Sequence, residues 1–124
     1  MNEDGFHAAL TERIIGAAME VHRELRNGLD EKLYENALCV EFSDLEIHFD
    51  QQQRHTVFYK ARVIGNLIPD LIVENAVIVD TKVVEAFNDS HVSQMIGYLK
   101  ITGLRVGLLL NFKHASLKIK RITI

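Results

Sequence analysis

The chain has a single cysteine, Cys39, among 124 residues. That excludes an internal disulfide and a multi-cysteine zinc site. Its histidines, His7, His22, His48, His55, His91 and His114, show no zinc-ligand spacing beside a cysteine pair. Long apolar runs are missing as well: stretches such as VGLLL are far too short to span a bilayer, so no membrane partner is expected. There is no glycine-rich phosphate loop and no dinucleotide fingerprint, and a G-x-S-x-G nucleophile elbow is lacking. The opening MNEDGFHAAL is acidic and carries no basic region ahead of an apolar one, which argues against a secretory signal. A cytoplasmic protein is the economical expectation.

What is present is ordinary for a globular chain: 48% apolar and 25% charged residues. The length fits one domain over residues 1–124, large enough to bury a core without staples. The net charge of −3 is unevenly spread. Residues 100–124 hold Lys100, Arg105, Lys113, Lys118, Lys120 and Arg121 and no acid, a net +6, while the rest of the chain carries −9. A basic end on an acidic protein suits phosphate contacts and equally suits simple solubility.

Leu10, Ile14, Ala17, Ala18, Val21 and Leu25 recur at helical spacing, with Thr11 as a cap and Asn27-Gly28 as a stop. A second helix follows from Asp30 as N-cap, with Leu33, Ala37, Leu38 and Phe42 inward. From Ile47 the chain is rich in β-branched and aromatic residues, with a turn at Tyr59-Lys60-Ala61, and AVIVDTKVV reads as a third strand. DSHVSQMIGYLKITG reads as a helix capped by Asp89 or Ser90, with Val92, Met95, Ile96 and Leu99 inward. RVGLLLNF is an apolar, central strand, and SLKIKRITI an alternating final one. The order α-α-β-β-β-α-β-β implies a three-strand meander, a crossover helix and a mixed sheet flanked by helices, in the α/β or α+β class.

Three charges sit inside the apolar runs of LIPDLIVENAVIVDTKVVEAF: Asp70, Asp80 and Lys82. Residues two apart in a strand share a face, so Asp80 and Lys82 point the same way. If Glu74-Asn75-Ala76 is a three-residue loop, Asp70 falls opposite Asp80; a two-residue loop would send the aspartates to opposite faces. Two carboxylates that close repel, and one is pushed toward protonation unless a cation lies between them. Mg²⁺ suits such a pair, because it takes one or two carboxylates and keeps several waters. Lys82 beside it could orient the attacking water and neutralise charge on phosphorus. The plainer alternative is a structural salt bridge from Lys82 to either aspartate.

Pro69-Asp70, nine intervening residues and Asp80-Thr81-Lys82 resemble the PD-(D/E)XK signature. Over nearly the whole chain, IIGAAMEVHRELRNGLDEKLYENAL, VFYK, VIVDTKVVEAF, YLKITG and VGLLLNF resemble a bacterial family named for its GxxExxY motif, carried here by Gly28, Glu31 and Tyr34. That resemblance implies a restriction-endonuclease-like core and a nuclease chemistry with Mg²⁺ or Mn²⁺. It makes Asp70 and Asp80 metal ligands, the Thr81 carbonyl a third, and Lys82 the catalytic lysine. A helical glutamate often joins such sites: Glu31 and Glu35 share a helical face, with Glu35 preferred and Glu31 alternatively closing the inter-helix turn. Gln94 and Tyr98 are similar to the Q-x-x-x-Y element of the exonuclease branch, or form a half-buried helix flank. His91 could reach the site or simply be solvated. Tyr34 and Tyr59 could stack on bases, although tyrosines on separate elements are more often core or rim.

Two functions follow: a metal-dependent nuclease acting on DNA or RNA, expected as a homodimer, or a non-catalytic nucleic-acid-binding or protein-interaction domain that keeps the fold.

Overall fold

Helix α1 (Ala8–Leu25) buries Ile14, Ala17, Ala18 and Val21 along one stripe. Thr11 does not cap it. The helix begins a turn earlier, after His7, and Thr11 Oγ1 donates back to the Ala8 carbonyl at 3.0 Å from within the first turn. The helix stops as expected before Asn27-Gly28: Arg26 takes φ 61° and its N–H returns to the His22 carbonyl at 2.8 Å. Helix α2 (Glu31–Asp44) starts after Asp30 and turns Tyr34, Glu35, Leu38 and Phe42 inward. Leu33, expected inside, is 49% exposed. Tyr34 is tied through its hydroxyl to the preceding loop, and that rotation puts Leu33 on the outer side.

The structure is a computed structural model that describes residues 5–124; Glu3 and Asp4, the two acids of the opening segment that disfavour a secretory signal, lie outside the described residues. Strands β1 (Phe49–Gln51), β2 (His55–Tyr59), β3 (Arg62–Leu67), β4 (Leu71–Val73) and β5 (Val77–Lys82) follow the two helices. Helix α3 (Asp89–Thr102) and strands β6 (Val106–Asn111) and β7 (Lys118–Thr123) complete the expected succession. The main sheet runs β1-β4-β5-β6-β7, with β5 and β6 parallel and the other pairs antiparallel.

The β-rich stretch before β5 is divided more finely than its pattern indicates. The meander forms as β1, β4 and β5, paired antiparallel in succession, but its first hairpin is broken: β2 and β3 continue it away from the main sheet and pair only with each other. Gln52, at φ 55°, turns the chain out of the sheet, and Pro69 has no N–H with which to extend β4 backwards. The hairpin turns at Lys60 and Ala61, both at positive φ (47° and 64°), within the expected Tyr59-Lys60-Ala61 segment.

The sheet is buried on both faces. Val77 and Val79 of β5 join Leu108 and Leu110 of β6 against α1 and α2, while Ile78 and Leu109 pack with Met95 and Leu99 of α3. Asn88, not Asp89 or Ser90, caps α3. Its Oδ1 accepts from the His91 N–H at 3.0 Å, and His91 Nδ1 accepts from the Asn88 N–H at 3.2 Å. This reciprocal pair satisfies two otherwise orphaned donors, and it needs a side chain at the position before the helix, whereas Asp89 and Ser90 already lie in its first turn. Among the described residues no helix is long and apolar enough to cross a membrane.

Candidate active site

The β4–β5 hairpin adopts the register that a three-residue loop dictates. Leu71 faces Val79, Ile72 faces Ile78 and Val73 faces Val77. Glu74 and Asn75 take φ 52° and 54°, and the Ala76 N–H returns to the Val73 carbonyl at 2.9 Å. Beyond Leu71 and Val79 the backbone ladder stops and side chains replace it. The Asp70 N–H donates to Asp80 Oδ1 at 3.2 Å, while the Thr81 N–H and hydroxyl donate to Asp70 Oδ2 at 2.9 and 3.1 Å. Each aspartate thus satisfies a backbone donor of the other's strand, and the two carboxylates end side by side.

Lys82 lies against this pair, with Nζ 3.5 Å from Asp80 Oδ2 and donating to Gln94 Oε1 at 3.2 Å. Asp80 and Thr81 are buried, and the Lys82 side chain is only 14% exposed. Burial first, and then the Asp80 charge, push the Asp70 carboxyl up to about 6. Burial raises Asp80 too, and Lys82 opposes that rise.

Two further groups respond to the same charges. Glu31 is raised by burial and then by Asp70, with Lys82 and the Val83 N–H pulling it down. The Tyr98 phenol is pushed up to about 12 by burial, Asp80 and Asp70. Glu35 is buried and also adjoins Asp70. Its Oε2 accepts from Gln51 Nε2 at 2.8 Å, Gln52 Nε2 at 2.9 Å and Lys32 Nζ at 3.1 Å.

Against known proteins, the profile of the PD-(D/E)XK nuclease superfamily matches residues 8–122. The chain belongs to that superfamily. No curated protein matches it. Among solved structures, an alkaline exonuclease, LHK-Exo, from Laribacter hongkongensis aligns at TM-score 0.54 and 10% identity, over 96% of this chain and 71% of the other. A second, the crystal structure titled SSO0001, aligns at TM-score 0.52 and 12% identity, over 96% of this chain and 79% of the other. At such identities the likeness is one of fold.

Within this PD-(D/E)XK chain, Asp70, Asp80, Lys82, Glu31, Glu35, Gln94 and Tyr98 come together at one end of β5. His91 does not join them, because its ring is committed to the α3 cap and lies edge-on to Phe87 at 6.4 Å. The residues that sequence reasoning passed over are Gln51 and Gln52. Gln52 Nε2 contacts both Glu35 and, at 3.3 Å, Asp70 Oδ1, so it bridges α2 to the β4–β5 pair. The run Gln51-Gln52-Gln53 was the available signal: three amides in succession where β1 ends. Among the described residues no group of three or more His, Cys, Asp and Glu side chains forms a ready-made ion cage.

The raised acids have a consequence for stability. A carboxyl held above its unfolded value binds more protons in the folded chain than in the unfolded one. Stability therefore falls as pH rises from about 4 to about 6, and levels off above. In EDTA, the thermal midpoint is expected to be roughly 4–8 °C higher at pH 5 than at pH 7.5, from on the order of 1–2 kcal/mol after solvent screening. Asp70→Asn should raise the pH 7.5 midpoint and flatten the profile. Equal midpoints in the unaltered protein at both pH values would contradict this account of the pair.

Proposed function

We propose that the protein hydrolyses phosphodiester bonds in nucleic acid, using Mg²⁺ or Mn²⁺ held by Asp70 and Asp80 with the Thr81 carbonyl as a third ligand. One observation carries the reading: two aspartates meet side by side at the end of a buried strand, with a single ammonium against them. Such an arrangement opposes folding, since both acids are raised, and perturbed carboxyl pairs of this kind cluster at functional sites. The donor set fits the ion. Two carboxylates suit a hard cation that keeps most of its waters, and a cation between them would favour their ionised forms. When bound, such an ion polarises the phosphate and lowers the pKa of a water.

The chain's own groups supply the rest. Lys82 Nζ is held between Asp80 and Gln94, so its ammonium is oriented before substrate arrives. An ammonium held this way orients the attacking water and neutralises charge that builds on the phosphoryl oxygens. Gln94 positions the lysine. Glu35, fixed by Gln51, Gln52 and Lys32, positions Asp70 through Gln52. Glu31 adds a third carboxylate whose charge is felt by Asp80 and which itself feels Asp70 and Lys82. Tyr98, with its phenol raised, stays protonated beside both aspartates at neutral pH.

Within the superfamily we read the chain as a member of the GxxExxY family. Gly28 takes φ 114° in the loop between the first two helices, Tyr34 clasps that loop, and Glu31 stands by the aspartates. Substrate recognition in this reading comes from a homodimer, from a partner or from the shape of the nucleic acid. The test is cleavage of single- and double-stranded DNA and RNA with Mg²⁺ or Mn²⁺, against EDTA and against Asp80→Ala. Cleavage that needs both metal and Asp80 supports the reading. Absence of cleavage, together with no calorimetric binding of either ion, would leave a non-catalytic domain.

A further inference from the structure

The β2–β3 hairpin takes no part in the sheet, yet it is rooted in the site. Its two ends are Gln52, which contacts Glu35 and Asp70, and Asp70 itself. Its base is anchored, because Leu67, paired with His55, packs against the α3-side core. Its outer part is not. Phe58, Tyr59, Val63 and Ile64 are each about 60% exposed, an unusual density of large apolar groups on a two-stranded ribbon.

The ribbon is also basic. From residue 51 to residue 69 there are Arg54, Lys60 and Arg62 and no acid, in a chain whose net charge is −3. At the tip Tyr59 pairs with Arg62, and Lys60 Nζ lies 5.4 Å from the Tyr59 ring centroid. A bulge between Val57 and Phe58 breaks the register just before the two aromatics, which re-aims side chains and increases local twist.

From these observations we infer that the β2–β3 hairpin is a nucleic-acid-binding arm. Phe58 and Tyr59 stack on unpaired bases, and Arg54, Lys60 and Arg62 contact phosphates of a strand that continues into the Asp70–Asp80 site. The inference rests on the nuclease reading for its ligand. Its physical need is plain: the candidate site is acidic and repels phosphate, so a neighbouring basic element must bring the strand in. Aromatic faces beside cations are what sequence-tolerant single-strand binding uses. Extended chain rises about 3.3 Å per residue, so the tip stands up to roughly 20 Å from the root, within reach of one short strand. A second copy of the chain is a poorer occupant. A symmetric hairpin-to-hairpin contact would bring the two sets of Arg54, Lys60 and Arg62 into one interface with no acid on either ribbon to pair them.

The experiment measures binding apart from cleavage. Anisotropy of a labelled single strand of on the order of 20 nucleotides is followed in EDTA with the unaltered protein, Phe58→Ala/Tyr59→Ala and Lys60→Ala/Arg62→Ala. The aromatic variant is expected to bind at least tenfold more weakly. The basic variant should lower the slope of log affinity against log salt by about 1.4. Circular dichroism checks that both remain folded, as exposed substitutions should. The inference is overturned if the unaltered protein does not bind, if both variants bind as it does, or if sedimentation shows the aromatic change splitting a dimer with strand affinity intact. Hairpin-dependent binding without cleavage by the unaltered protein would sink the nuclease reading alone. Metal-dependent cleavage with hairpin-independent binding would sink this one alone.

Discussion

Lys82→Ala is expected to slow metal-dependent cleavage by roughly 10²–10⁴-fold, the usual range for a positioned group acting on the transition state. The side chain is held on two sides, by Asp80 at 3.5 Å and Gln94 at 3.2 Å, so its place is fixed before substrate binds. Alanine removes the charge and leaves Gln94 without that donor. It also removes the charge that, ahead of the Asp70 N–H, lowers the Asp80 carboxyl, so that acid holds its proton more tightly and the acidic limb of the rate profile should move to higher pH. A structural salt bridge to Asp80 would move that limb as well, so the loss of rate on the plateau above it is what marks a part in the chemistry. Lys82→Arg should rescue only part of the rate, because a planar guanidinium cannot occupy the same point between Asp80 and Gln94. Single-turnover rates across pH 5–9 test this, and an alanine variant as fast as the parent would refute the role assigned to Lys82.

The second large effect is on folding. Tyr34→Ala should cost about 3–5 kcal/mol, as expected for truncating a fully buried aromatic. The ring stacks on Phe112 with centroids 4.5 Å apart and planes 9° apart, joining α2 to the segment after β6. Its hydroxyl donates to the Arg26 carbonyl at 2.6 Å and accepts from the Leu29 N–H at 3.1 Å. That loop needs the help: Arg26 sits at φ 61°, ψ −176°, a region almost reserved for glycine. Tyr34→Phe keeps the stack and loses only the two hydrogen bonds, so about 1–2 kcal/mol is expected. Urea unfolding of the two variants separates the contributions, and equal losses would mean that the ring adds nothing beyond the hydroxyl. Glu31 lies one turn before Tyr34, so loosening this loop should also weaken activity before it abolishes folding.

The centre of the candidate site was legible because strand geometry is periodic. A spacing of nine residues between Asp70 and Asp80, with a loop of three, brings the two aspartates opposite each other in the hairpin register. Asp80 and Lys82 share a face by the same parity, and the helices carried their own apolar stripes. Caps were less legible. Asn88 outcompetes Asp89 and Ser90 through a reciprocal bond with His91 that only the folded turn reveals. Leu33 was misread because the rotation of α2 is set by Tyr34 reaching back to Arg26 and Leu29, a contact outside the helix's own period.

By itself, then, the sequence determined the register of β4 against β5, the aspartate pair and its lysine, since each follows from local spacing and turn length. Only the tertiary structure decided that Gln52 ties Glu35 to Asp70 while Gln51 holds Glu35, that Glu31 and Tyr98 share the same charges, and that the hairpin between Gln52 and Pro69 leaves the sheet. Those outcomes depend on how α2 and α3 pack across the sheet and on which strands find partners, and long-range packing has no period to read.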